Sequence, residues 1–179
     1  MARVPSTTAE VAGIRECRAG AASFTVLSSR SARYSERHVV AQPFTVPITV
    51  RGYETDTQGH LNQAVYLQYS EHARWALLEA AGIRQKDLVA NGIGPVVLET
   101  TIRYRRELYA GDEVDVSCLF VWGGGKTFKL EQRITKKDGT LSAEFDVVGG
   151  ILDLSARKLV DDPAQALRAV AKEPAVLGL

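Results

Sequence analysis

A single helix-period segment, from about Gln63 to Ala81, is followed almost entirely by strand-period runs, and that order constrains this chain more than any other feature. Tyr66, Tyr69, Ala73, Leu77 and Ala80 form one stripe of the helix, which Val65, Leu67, Trp75 and Leu78 widen. A helix apolar on so many sides is expected to be largely enclosed. Asn62 suits its N-cap, and Gly82 suits the position just past its end. Ahead of it, Phe44, Val46, Ile48 and Val50 alternate with other residues at strand period. Pro47 cannot donate to a ladder, so an edge or a bulge is predicted there. After it, a strand is expected from Val96 to about Leu108, with Leu98, Ile102 and Tyr104 in phase. Val114, Val116, Cys118, Phe120 and Trp122 form the next run, and Phe128, Leu130 and Ile134 the one after. Lys137-Asp138-Gly139-Thr140 predicts a hairpin, and Ala143, Phe145 and Val147 lead to Gly149-Gly150, where a bulge is predicted. Leu152 and Leu154 then end the sheet.

One strand, one buried helix and four long antiparallel strands make an α+β protein, whose twisted sheet can curl around the helix and cover it. There is no βαβ alternation and no Gly-rich phosphate loop, which removes the dinucleotide-binding folds. The 179 residues suffice for one domain, and a net charge of +1 offers neither nucleic acid nor an anionic membrane a bulk electrostatic partner. No apolar run approaches the length of a membrane span. Cys17, Cys118, His38, His60 and His72 lack metal-ligand spacing, and Cys118 reads as a reduced core thiol, so a soluble, cytoplasmic protein is expected. Residues 1–42 carry six arginines against three glutamates, a weak likeness to an organellar transit peptide that the glutamates oppose. They are expected to be a poorly ordered extension without a catalytic role. Residues 43–160 are expected to form the domain, and residues 161–179 a tail with a short helix carrying Ala164, Leu167 and Val170.

Between the first strand and the helix runs Arg51-Gly-Tyr-Glu-Thr-Asp56-Thr-Gln-Gly59-His60-Leu-Asn62-Gln63. Asp56 in such a turn has two readings. It can close an Asx-turn or cap the helix, or it can serve as nucleophile or general base beside an oxyanion site. Gln63 and Ala64, at the first helical positions, carry N–H groups with no intrahelical acceptor, which suits a developing oxyanion. Gly59 provides positive φ and lets a substrate approach the backbone. Asn62 reads first as the N-cap, with contact to an acyl group or water as the alternative. His60 reads first as a structural hydrogen-bonder, with proton transfer as the alternative.

The turn, the helix and the Tyr104-to-Asp112 segment together resemble the hot-dog-fold acyl-CoA thioesterases of the 4-hydroxybenzoyl-CoA thioesterase-like family. The matching residues are Asp56, Gly59, His60, Asn62, Ala64, Tyr66, Leu67, Glu71 and Arg74, with Gly111-Asp112 closing the second turn. The resemblance covers about Phe44 to Val160. It departs at Gln63, where many members carry asparagine, although a backbone N–H is available from either residue. The resemblance implies a thioesterase that hydrolyses an acyl-CoA or acyl-carrier-protein thioester, with Asp56 as nucleophile or general base and without metal or cofactor. It also implies a homodimer or homotetramer with the active site between subunits. Candidate catalytic residues are Asp56, Gln63, His60 and Asn62. Candidate substrate contacts are Gly59, Ala64, Tyr66, Glu71, Arg103 and Arg105. Glu71 is the second-choice carboxylate, with an ion pair to Arg74 as its structural reading. Arg103, Arg105, Arg106, Lys126 and Lys129 either meet coenzyme A phosphates or simply face solvent. Tyr66, Tyr69, Trp75, Phe120 and Trp122 are core or interface aromatics, some of them lining an acyl tunnel. The alternative is a non-catalytic acyl-CoA sensor on the same fold. A hot-dog dehydratase would need a His/Asp or His/Glu pair that the sequence does not display.

Overall fold

The computed structural model describes residues 43–179, and the expectations for the N-terminal extension lie outside the described residues. Strand β1 (Phe44–Thr49) leads through a 3-10 turn at Gly52–Glu54 and the Asp56 loop into helix α1 (Gln63–Ala80). A short helix α2 (Gln85–Ala90) precedes β2 (Ile93–Tyr104), β3 (Glu113–Val121), β4 (Thr127–Lys136) and β5 (Leu141–Asp153). The chain ends with β6 (Lys158–Leu159), α3 (Pro163–Val170) and a 3-10 turn at Pro174–Leu177. All strand pairings are antiparallel, in the order β1-β3-β4-β5-β2, with β6 lying against β5. This is the expected hot-dog arrangement, a curled sheet holding one long helix.

Alternation explains which sheet face is dry. Val114, Val116 and Cys118 of β3, Phe128, Leu130 and Ile134 of β4, and Ala143, Phe145 and Val147 of β5 are all buried. Against them α1 sets Tyr66, Tyr69, Ala73 and Leu77, spaced three or four residues apart as one helix face requires. Each large side chain enclosed in this way contributes about 1.5–3 kcal/mol of transfer free energy. The core also holds Gln132, whose Oε1 accepts from Ser70 Oγ (2.7 Å) and Arg74 Nη1 (3.1 Å) and whose Nε2 donates to Ser70 O (2.9 Å). Because these bonds are directional, they fix where along β4 the helix lies.

Several local expectations are corrected. Helix α1 is buried on one face only, and Leu67 on the other face is 42% exposed. Strand β2 ends at Tyr104, and Leu108 is instead a buried anchor whose carbonyl accepts from Leu61 N. Gly149 and Gly150 are not themselves bulged. The irregularity lies on the facing strand, at Leu98 between Val97 and Glu99. A Cβ on Gly149 would sit 2.7 Å from Phe128 Cε2, and one on Gly150 2.8 Å from Leu159 Cδ2, so close packing is what requires glycine at both positions. Among the described residues Pro47 does lie on an edge strand, as β1 has only β3 beside it there. In the tail, α3 begins with Pro163 after Asp162, whose side chain accepts from Gln165 N.

Candidate active site

Residues 55–61 double back on themselves. Asp56 N donates to His60 O (2.7 Å), Gly59 N donates to Asp56 O (3.0 Å), and Thr55 bridges Leu61. Gly59 has φ +81, which a side chain there would strain. Asp56 Oδ1 accepts from Gln58 N (2.8 Å) and His60 N (3.1 Å), so the Asx-turn is present. The cap of α1 is a different residue. Asn62 Oδ1 accepts from Ala64 N (2.9 Å) and Asn62 O from Val65 N (2.9 Å). Asp56 is therefore free of helix capping, and its Oδ2 has no hydrogen-bond partner among the described residues.

The cap decides which backbone donor stays open. Ala64 N–H, expected to share the oxyanion role, is already bonded to Asn62. Gln63 N–H makes no hydrogen bond among the described residues. It stands at the positive end of an 18-residue helix, where an oxyanion is favoured.

Asp56, His60, Gln63, Tyr66 and Arg105 share the lining of one open cavity of about 360 Å³, joined by Leu61, Tyr104, Arg106 and Glu107. Tyr66 is buried, its ring edge-on to Tyr104 at 5.1 Å, and burial pushes its hydroxyl pKa up. His60 packs edge-on against Tyr109 at 5.1 Å, and its imidazole makes no hydrogen bond among the described residues. Glu107 is a second carboxylate on the cavity, held below its usual range by its own backbone N–H and by the Tyr109 hydroxyl.

The remaining candidates lie elsewhere or are engaged in other contacts. Glu71 lies in a separate cavity, and no Glu71–Arg74 ion pair forms, since the Arg74 guanidinium turns inward to Ser70 Oγ and Gln132 Oε1. Arg103 pairs with Asp146 (2.5 Å) and Arg105 with Glu144 (2.8 Å), while Lys126 pairs with Asp161 (2.9 Å). Arg106 has no carboxylate partner among the described residues and donates to Arg105 O (2.8 Å). No group of three His, Cys, Asp or Glu side chains there could hold a metal ion.

Glu54 is not among the candidate site residues read from the sequence, although it holds the loop in place. Its Oε2 accepts from Arg51 N (2.7 Å) and from Tyr69 Oη (2.5 Å), its Oε1 accepts from Arg51 Nη1 (3.0 Å), and its carbonyl accepts from Asn62 N (2.9 Å). Burial works to raise the Glu54 pKa, but the Tyr69 and Arg51 bonds outweigh it and the net shift is downward. Tyr69 moves upward, from burial first and the carboxylate second. The visible signal was a carboxylate two residues ahead of Asp56. Its partner on α1 was not visible.

The sequence profile of the Thioesterase-like superfamily matches residues 50–170. The long-chain acyl-CoA thioesterase FadM of Escherichia coli strain K12 is 34% identical over 112 residues, covering 62% of this chain and 84% of that protein. The chloroplastic acyl-acyl carrier protein thioesterase ATL3 of Arabidopsis thaliana is 35% identical over 73 residues, 41% of this chain and 38% of that one. The chain thus spans most of the first relative and well under half of the second. The crystal structure of YbaW from Escherichia coli superposes with a TM-score of 0.64 at 29% identity, covering 72% of this chain and 99% of that one.

Proposed function

The chain belongs to the Thioesterase-like superfamily, and on that footing we propose that it hydrolyses an acyl-CoA or acyl-carrier-protein thioester to a carboxylic acid and a thiol, with Asp56 as the reacting carboxylate. The observation that carries this reading is that Asp56, with Oδ2 unbonded, and Gln63, with its N–H unbonded among the described residues, line one cavity. A thioester carbonyl oxygen directed at Gln63 N–H presents its carbon to the carboxylate. Charge that develops on that oxygen then meets a donor already in place.

Two routes balance. As general base, Asp56 takes a proton from water, whose oxygen attacks the carbonyl carbon. The tetrahedral intermediate expels thiolate, which recovers the proton. As nucleophile, Asp56 Oδ2 attacks directly, thiolate leaves, and water hydrolyses the mixed anhydride. Neither route asks for a metal or an organic cofactor. Label in the Asp56 carboxylate after single turnover in oxygen-18 water would identify the second route, since water that attacks the Asp56 carbonyl of the anhydride leaves its oxygen there.

Relatives named for acyl-CoA and acyl-carrier-protein thioesters support the substrate class. Arg106, with unspent donors at the cavity, is the proposed contact for a phosphate of the carrier group. A homodimer is part of the same proposal. Among the described residues strand β2 is an open edge, Val97 and Leu98 on it are 50% and 52% exposed, and Tyr104 of the site lies at its end. No helix among the described residues is long and apolar enough to cross a membrane. The cytoplasm is the proposed compartment.

Thiol release from a panel of acyl-CoA esters tests the reading. Asp56→Ala is expected to lower kcat by about 10²–10⁴-fold in a folded protein, the range for a lost acid–base group. Near-normal turnover by that variant would rule Asp56 out. Acyl-CoA binding without hydrolysis of any ester would favour a sensor.

A further inference from the structure

A second, smaller cavity of about 90 Å³ opens beside the C-terminal half of α1, lined mainly by Trp75, Leu78, Val96, Phe120, Phe128 and Gly149. It has room for about three water volumes at roughly 30 Å³ each, which fits a short stretch of methylenes and not a ring. Its walls are apolar apart from Glu71 and Arg74. Those residues and Leu78 place it along the same helix whose first residue, Gln63, lines the cavity that holds Asp56. At a rise of about 1.5 Å per residue, Glu71 and Leu78 stand roughly 12 and 22 Å from Gln63 along the axis. An extended chain advances about 1.2 Å per bond, so an acyl group reaches the level of Glu71 after about ten bonds and that of Leu78 after about eighteen.

The far wall is an aromatic stack. Phe120 lies flat on Trp122, with centroids 4.7 Å apart and planes 2° apart, and Phe128 meets both edge-on at 5.0 and 5.5 Å. Phe128 can lie across the sheet only because Gly149 has no Cβ. Trp122 itself does not line the cavity. It stands behind the two phenylalanines and is held from the other side, where its Nε1–H donates to Leu177 O at 2.7 Å. That carbonyl belongs to the C-terminal tail, which is fixed in turn where Lys172 N (3.0 Å) and Glu173 N (3.1 Å) donate to Ala81 O at the end of α1. Leu177 is only 2% exposed. A half-buried indole N–H deprived of its acceptor is costly, so the orientation of Trp122 follows the tail.

We propose that the C-terminal tail sets the upper limit of acyl-chain length, acting through Trp122 as a positioning residue that holds Phe120 and Phe128 as the end wall of the chain pocket. The inference rests on the thioesterase reading and adds to it a substrate class, acyl chains long enough to reach this wall. Chains too short to enter the cavity do not sense Trp122. Long chains press on the wall, and the limit relaxes when its backing is removed.

The test is kcat/KM for butyryl-, decanoyl- and stearoyl-CoA with the full chain, Trp122→Ala, and Trp122→Phe, which keeps an aromatic ring but loses the N–H donor and part of the ring volume. Both variants are expected to raise the stearoyl-to-decanoyl ratio, by about tenfold in Trp122→Ala, the effect of roughly one methylene in an apolar pocket. The butyryl value is expected to stay unchanged. A uniform loss at every chain length would mark Trp122 as a structural residue only and overturn the inference. Folded variants whose length profiles superimpose on that of the parent chain would also overturn it, leaving the thioesterase reading intact. Failure of the parent chain to release thiol from any ester would sink both.

Discussion

Asp56 and Glu54 divide the work of one loop. Asp56 spends one carboxylate oxygen on the turn and keeps the other open, while Glu54 spends both oxygens holding the loop against Arg51 and Tyr69. That difference predicts separable phenotypes. Substituting Asp56 removes chemistry and keeps the fold. Glu54→Gln is expected to cost about 1–3 kcal/mol near neutral pH, the range for hydrogen bonds to a buried charged group. The pH dependence follows from the direction of the Glu54 shift. Its folded pKa is depressed, so its stabilisation is present above the unfolded value of about 4.3 and is lost as pH falls through the folded value. The parent chain and Glu54→Gln are therefore expected to differ in urea midpoint at pH 7 and to converge in acid. Midpoints separated equally at both pH values would contradict the assignment.

At the scale of elements, the loop and helix were legible in the sequence because their signals are local. The alternation of β3 to β5, the Asn62 cap and the Gly59 turn each depend on residues a few positions apart. The glycine pair was misread for a corresponding reason. A bulge and a close approach both ask for glycine, and only the ring of Phe128 across Gly149 distinguishes them. Gly149→Ala would place a methyl 2.7 Å from Phe128 Cε2 and 3.2 Å from Val96 O. It is expected to destabilise the protein by about 1–3 kcal/mol, as overpacking does, and thermal or chemical denaturation measures this. A variant as stable as the parent would mean that the strands separate there at little cost. The Glu71–Arg74 pairing failed as an expectation because helix spacing permits an ion pair without requiring one. The buried Ser70–Gln132 couple takes the guanidinium instead.

For the whole molecule, the question is what covers the β2 edge. Its backbone groups, unpaired among the described residues, and the exposed Val97 and Leu98 form a long open template at the border of the sheet. If the proposed dimer forms through this edge, Leu98→Lys is expected to shift it toward monomer in sedimentation velocity and to lower activity with it, since Tyr104 of the site lies on the same strand. An unchanged mass would place the interface elsewhere. The charged strand face reads differently in three dimensions than along the chain. Arg103 and Arg105, candidates for phosphate contact, face Asp146 and Glu144 across the ladder, which leaves Arg106 as the unpaired guanidinium at the cavity.

By itself the sequence determined the fold class, the long central helix with its cap, and the loop that bears Asp56. Periods of two and 3.6 and the chemistry of caps and turns act over a few residues. Only the tertiary structure decided that Ala64 N–H is spent while Gln63 N–H stays open, that Glu54 meets Tyr69, that Ser70 meets Gln132, and that Trp122 leans on Leu177. The last three join side chains or carbonyls far apart in sequence, and no local periodicity names the partner. They form because a buried polar group must find a hydrogen bond, and which group it finds depends on how the sheet closes around the helix.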